Sequence, residues 1–126
     1  MKPLLLVAAG GVIGALARFA LAQVMAKSLT DSLFPWPILT VNLLGCLAFG
    51  ILAEIGIERG LLTAGTQLFL FTGILGSFTT FSTFGYETLY LLRSDKILLA
   101  LSYVLASVIG GVLALYAGTR LVAKLS

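Results

Sequence analysis

One apolar stretch constrains this chain more than any other, because it is too long to cross a bilayer as a straight helix. From Thr63 to Leu92 the sequence runs for about 30 residues with Glu87 as its single charge. As one α-helix that is roughly 45 Å, against a hydrocarbon core of about 30 Å. The segment must tilt steeply, protrude or break. Its centre reads Gly73-Ile74-Leu75-Gly76-Ser77-Phe78-Thr79-Thr80-Phe81-Ser82-Thr83-Phe84, glycine and hydroxyl residues interleaved with aromatics. Glycine, serine and threonine are where a membrane helix can unwind, since hydroxyls re-satisfy freed backbone groups. Non-helical backbone persists at membrane depth only when buried in protein or lining a polar cavity. A break near residues 73–80 would aim carbonyls, amides and hydroxyls at one point, as ion sites in membranes do. The same residues also suit close helix packing, with the phenylalanines facing lipid or a neighbouring helix.

Three further apolar segments accompany it. The expected spans are residues 3–25, 36–57, 63–92 and 97–121, with Pro35-Trp36-Pro37 opening the second. The expectation is an all-α membrane protein, one four-helix domain over residues 1–126. Only 10% of residues are charged, against about 25% in a soluble domain. The net charge of +3 is scattered and forms no basic tract, so nucleic acid is not a partner. Histidine is absent and Cys46 is the single cysteine. No carboxylate pair lies within a span, so the residues point away from an enzyme and from redox chemistry. Lys2, the run from Leu4 to Ala9 and Ala15-Leu16-Ala17 imitate a signal peptide. Arg18 follows at once, however, and three more long segments come later, so the first span is expected to be retained.

Polar residues at membrane depth are few, and each admits two readings. Arg18 either snorkels to the nearer interface or draws anions to an aqueous vestibule. Asn42 is either interhelical glue, worth about 1 kcal/mol or less, or a pore-lining amide that donates to an anion. Glu87 is an interfacial carboxylate or a barrier to anions. Tyr103, Ser107 and Gly111 recur at helical spacing beside Ser102, Ala106 and Gly110, which makes a small polar stripe on one face. That stripe serves packing or forms a pore wall facing Asn42. Gly10 and Gly14 make a GxxxG pair suited to close helix contact.

With four spans, Lys2, Arg59, Arg120 and Lys124 fall on one side, and Lys27, Arg93 and Lys96 on the other. Insertion follows such charge differences, and this one nearly vanishes. Either one extra charge and the amino terminus orient the chain, or both orientations occur. The second case allows an antiparallel dimer with a two-fold axis in the membrane plane.

The sign of a bound ion stays open at this level. No lysine, arginine or histidine lies within residues 73–84. Hydroxyls, an amide, freed N–H groups and the positive edges of Phe81 and Phe84, which share a helix face, would suit a small hard anion. Carbonyls from the same break would suit a hard cation.

The run from Gly73 to Phe84 with Glu87 resembles the third-helix signature of the small CrcB/Fluc fluoride channels. Gly14-Ala15-Leu16-Ala17-Arg18-Phe19 resembles their first-helix GxxxR motif, and Thr40-Val41-Asn42-Leu43-Leu44-Gly45 their TxNxxG motif. Tyr103 and Ser107 match their fourth-helix positions. The similarity covers essentially the whole chain. Ser77 stands where a second glycine is common, and Pro37-Ile38 replaces a usual Gly-Thr.

The resemblance implies a dual-topology antiparallel homodimer with a broken third helix and two fluoride pores, multi-pass in the inner (plasma) membrane. Phe81 and Phe84 would offer ring edges to fluoride, and Asn42 would donate to it. Ser82, Thr83 and Ser107 would add polar lining, Tyr103 would shape the path, and Arg18 would support vestibule and fold. A structural sodium ion on the two-fold axis would be held by the carbonyls of Gly76 and Thr79 from both chains. The implied role is passive fluoride export that protects a microbial cell. A small four-helix proton-coupled multidrug transporter is the main competitor. It needs a carboxylate at mid-membrane in its first helix, and this chain has none there. A non-transporting assembly subunit would not need so many hydroxyls at depth.

Overall fold

A computed structural model describes residues 1–125. Four helices are long and apolar enough to cross a membrane: Lys2–Ser28, Trp36–Glu58, Ala64–Arg93 and Ile97–Lys124. The first and last extend beyond the purely apolar spans because a helix continues through flanking lysine and arginine, whose stems lie along it while their charges reach water. Proline sits in the first turn of the first two helices, where its missing N–H costs nothing. Thr63 caps the third span by accepting a hydrogen bond from Thr66 N–H at 3.2 Å. The hairpin to the fourth span closes as Lys96 N–H donates to Leu91 O at 2.9 Å and Asp95 N–H to Leu92 O at 3.2 Å. These bonds satisfy carbonyls that a helix end leaves open.

The third span is not uniform. Residues 68–75 form widened, π-helical turns, in which Gly76 N–H reaches back to Phe71 O. A widened turn packs more residues into a given axial length, which relieves part of the excess length. Residues 76–78 complete the helical run. Thr79 and Thr80 then adopt extended backbone, with φ −76°, ψ 155° and φ −147°, ψ 122°. Helix resumes over Phe81–Arg93. Of the stretch 73–80, therefore, residues 73–78 are helical.

Two close helix contacts organise the packing. The first span lies against the widened turns of the third, and the second span lies along the fourth. At Gly14 a side-chain carbon would run into the carbonyl of Ile74, and at Gly50 into the carbonyl of Leu115. Both contacts bring backbone against backbone, the mode that lets membrane helices associate without a hydrophobic drive between them. A small buried cluster of Leu91, Ala100 and Tyr103, with Phe34, Phe84 and Leu99 against it, joins the Phe81–Arg93 helix to the fourth span. Leu4, Leu98 and Val112 point outward, as lipid-facing side chains do.

The two glycine contacts generate a paired prediction. Gly14→Val and Gly50→Val each force backbones apart and should destabilise the protein in detergent by about 1–3 kcal/mol. Gly85→Ala, where nothing lies within 4 Å, should be neutral or gain up to about 1 kcal/mol from helix propensity. Thermal unfolding followed by circular dichroism should rank the three in that order.

Candidate functional site

Extended backbone inside a membrane span must find partners for its polar groups. For Thr80 the partner is Asn42, 38 positions earlier on the second span. Asn42 Nδ2 donates to Thr80 O at 3.1 Å, and Thr80 N–H donates to Asn42 Oδ1 at 2.8 Å. The side-chain amide thereby imitates a peptide group and closes both backbone valences of one residue. Thr80 is 8% exposed, and leaving a buried polar group unpaired costs about 1–3 kcal/mol. The Thr80 hydroxyl caps the next helix, accepting from Thr83 N–H at 3.3 Å and donating to Thr83 Oγ1 at 3.1 Å. It also lies 3.4 Å from Ser82 Oγ. Thr79 turns back, its N–H and hydroxyl both donating to Leu75 O, at 3.0 and 2.9 Å.

These bonds redirect two carbonyls. In a continuous helix Gly76 O would receive Thr80 N–H and Thr79 O would receive Thr83 N–H. Here the first amide goes to Asn42 and the second to the Thr80 hydroxyl. Both carbonyls lose the amide that would otherwise complete their turn.

Beside this junction lies an open cavity of about 380 Å³. Asn42, Gly76, Thr79, Phe81, Phe84 and Ser107 line it together with Thr80 and Cys46, and no charged residue is among its described lining. The rings of Phe81 and Phe84 stand 5.5 Å apart, tilted by 45°. Phe81 is 83% exposed, so one face of the cavity has no wall from its own chain. Phe84 also meets Tyr103 at 5.2 Å, and Phe34 backs Tyr103 at 5.7 Å. Tyr103 is fully buried, its hydroxyl donating to Glu87 Oε2 at 2.7 Å. One turn along the fourth span, Ser107 Oγ is buried with no hydrogen-bond partner among the described residues. A serine hydroxyl can donate once and accept twice, so this one is available to a ligand in the cavity.

Of the residues singled out in the sequence, Asn42, Phe81, Phe84, Ser107, Gly76 and Thr79 meet at the cavity. Ser82 and Thr83 belong to the hydroxyl cluster around Thr80, and Tyr103 stands behind Phe84. Arg18 lies half-buried on the first span, outside the cavity lining. Asn42 ties two spans together, as its interhelical reading expected, and one N–H of its amide is not used in the pair with Thr80. One residue was given no role from sequence: Thr80 is the pivot of the junction, and its signal was a threonine just before a helical run, the pattern of an N-cap. The pairing of Glu87 with Tyr103 was also not foreseen, because no spacing rule links positions on separate helices.

The arrangement defines a class: a four-span helical membrane protein with a cavity beside the Thr79–Thr80 junction whose described polar lining is uncharged. Residues 5–119 match the family described as CrcB-like protein, Camphor Resistance (CrcB), and the chain belongs to that family. It is 42% identical over 122 residues to a protein of Methylobacillus flagellatus named fluoride-specific ion channel FluC, covering 97% of this chain and 95% of that one. A protein of Chlorobaculum tepidum with the same name is 44% identical over 125 residues, covering 99% and 97%. One from Dehalococcoides mccartyi, again so named, is 41% identical over 121 residues, covering 96% and 92%.

The Asn42–Thr80 pair yields a stability prediction. Asn42→Leu removes both bonds and should lower the apparent unfolding free energy in detergent by about 2–4 kcal/mol, from two orphaned backbone groups. Ser107→Ala removes a hydroxyl with no partner among the described residues and should leave stability unchanged or slightly raised. Melting both variants beside the parent checks the contrast.

Proposed function

We propose that this protein is a fluoride-selective channel that lets fluoride leave the cell passively across the plasma membrane and so confers fluoride resistance. The observation that carries the proposal is a cavity at membrane depth lined by uncharged donors and ring edges, in a chain related over nearly its full length to proteins named as fluoride channels. A small, strongly hydrated anion gives up water only where fixed dipoles replace it. The spare N–H of Asn42, the unpartnered Ser107 hydroxyl and the positive edges of Phe81 and Phe84 supply such dipoles. Neutral donors also hold the ion loosely enough for it to leave, which a buried arginine or lysine would oppose.

In this reading the functional unit is an antiparallel dimer of two copies inserted in opposite orientations. Two features support it: the nearly balanced charges at the two ends of the spans, and the exposure of Phe81 beside a cavity that lacks one wall. The second copy would supply that wall and enclose the pathway. Thr79 and Thr80 then act as a functional break in the third span, turning backbone groups toward the interface. Ser82 and Thr83 extend the polar lining, Tyr103 shapes the path behind Phe84, and Arg18 supports the vestibule.

A sodium ion would fit the same junction. The carbonyls of Gly76 and Thr79, relieved of their helical amides, are hard oxygen donors of the type that sodium prefers. Equivalent carbonyls from a second copy would complete the shell. The ion would brace the interface and offset the partial negative charge of converging carbonyls.

Fluoride-electrode efflux from proteoliposomes tests the function, with chloride efflux as the control. Rapid fluoride release without chloride release is expected, and equal release of both ions rejects selectivity. Phe81→Ile and Phe84→Ile should each abolish fluoride flux while the dimer survives on size-exclusion chromatography. Normal flux in both would remove the rings from the mechanism. Asn42→Asp should slow fluoride by placing a negative charge in the path, and an unchanged rate at neutral pH would count against that placement.

A further inference from the structure

The fourth span turns one face to its own chain and the opposite face outward. Its buried positions are Ala100, Tyr103, Gly111 and Gly118, and Gly118 lies against the second-span backbone at Leu47 and Ile51. On the opposite side, Leu105, Ile109, Val112, Leu113 and Tyr116 are 49–67% exposed. Steps of three and four residues put them on one apolar strip along the helix. The strip ends in Arg120 and Lys124, one and two turns beyond Tyr116, and both are exposed. The membrane boundary falls at this level, since Arg59 of the loop between the second and third spans donates to Val122 O at 2.8 Å.

The two cations are uncompensated. Among the described residues neither pairs with a carboxylate, and Glu54, at the same end of the bundle, is engaged by Arg59 at 3.5 Å. Like charges four residues apart on a helix repel, so an anion shared by both is favoured there. At the other end of the bundle the basic residues Arg93 and Lys96 have Asp95 between them. The strip that leads up to the cations says what kind of anion fits: one that carries hydrocarbon.

We propose that the face of Tyr116, Arg120 and Lys124 binds one anionic phospholipid, its phosphodiester between the two cations and its acyl chains along the strip. A guanidinium offers two parallel N–H donors to phosphate oxygens, and the lysine adds a point charge. Tyrosine favours the headgroup level, and its hydroxyl can donate to the same group. A zwitterionic phospholipid brings its own ammonium and gains less from the pair. Each basic side chain at an anionic membrane surface raises affinity about fivefold, so two give about 25-fold.

The inference does not rest on which ion the chain conducts, because bound lipid is counted directly. Full-length protein, delipidated in detergent, is titrated with dioleoylphosphatidylglycerol or with dioleoylphosphatidylcholine, and retained lipid is read by native mass spectrometry. One phosphatidylglycerol per chain, held roughly tenfold more tightly than phosphatidylcholine, is expected. The double variant Arg120→Gln, Lys124→Gln should lose that preference. Arg93→Gln, Lys96→Gln changes the net charge equally and should keep it. All four side chains are exposed, so neither variant disturbs the packing. Equal retention of the two lipids, or equal loss in both double variants, would overturn the site. Displacement by an equimolar amount of glycerophosphoglycerol, the same headgroup without acyl chains, would overturn the assignment to a lipid.

Discussion

A backbone that leaves the helix inside a bilayer gives up hydrogen bonds that no solvent replaces, and the reciprocal pair between Asn42 and Thr80 is how this chain meets that demand. One side chain satisfies both an N–H and a carbonyl, at 2.8 and 3.1 Å. Each would cost several kcal/mol if left bare in hydrocarbon. The Thr80 hydroxyl then starts the next helix, and Thr79 returns to Leu75. The extended pair is thus held at both ends by side chains of its own run and in the middle by a neighbouring span. Its side effect is geometric: the carbonyls of Gly76 and Thr79 lose the Thr80 and Thr83 amides that a continuous helix would give them.

The reciprocal pair requires the second and third spans to approach closely, and Gly45 of the second span leaves the room that the Thr79 methyl occupies. Gly14 meets the Ile74 carbonyl four residues ahead of Phe78 on the third span, and Gly50 meets the Leu115 carbonyl two turns beyond Ser107 on the fourth. The widened turns of residues 68–75 sit directly against the first span. Packing of this kind is short-range and steep, so it fixes register without needing a large apolar core. It also leaves most large apolar side chains on the outside, where lipid or a second copy can cover them. The exposed ring of Phe81 differs from those only in what lies next to it, a cavity with polar groups in its wall.

Charge is kept away from that cavity. Glu87 is turned behind Tyr103 and holds its hydroxyl. At the membrane boundary Arg59 pairs with Glu54 at 3.5 Å and donates to Val122 O at 2.8 Å, tying the end of the fourth span to the end of the second. A neutral, dipolar lining flanked by charges that are engaged elsewhere suits an ion that must both bind and leave.

Much of this was legible in the residues alone. The four spans follow from the length of the apolar runs, and the hydroxyl-rich run from Gly73 to Phe84 marked where the third span had to tilt, protrude or break; Thr79 and Thr80, within that run, have extended backbone. Asn42, Ser107, Phe81 and Phe84 stood out because polar or paired aromatic groups at that depth need a reason. What remained hidden was how donors and acceptors are spent. That Asn42 closes Thr80, that Tyr103 engages Glu87 and that Ser107 has no partner among the described residues depend on which helix faces meet and at what height. Apolar length and composition determine that a segment enters the membrane, because transfer free energy adds up residue by residue. Hydrogen-bond partnership across spans does not add up that way. It turns on approaches of a few tenths of an ångström set by glycine contacts, and only the packed chain decides them.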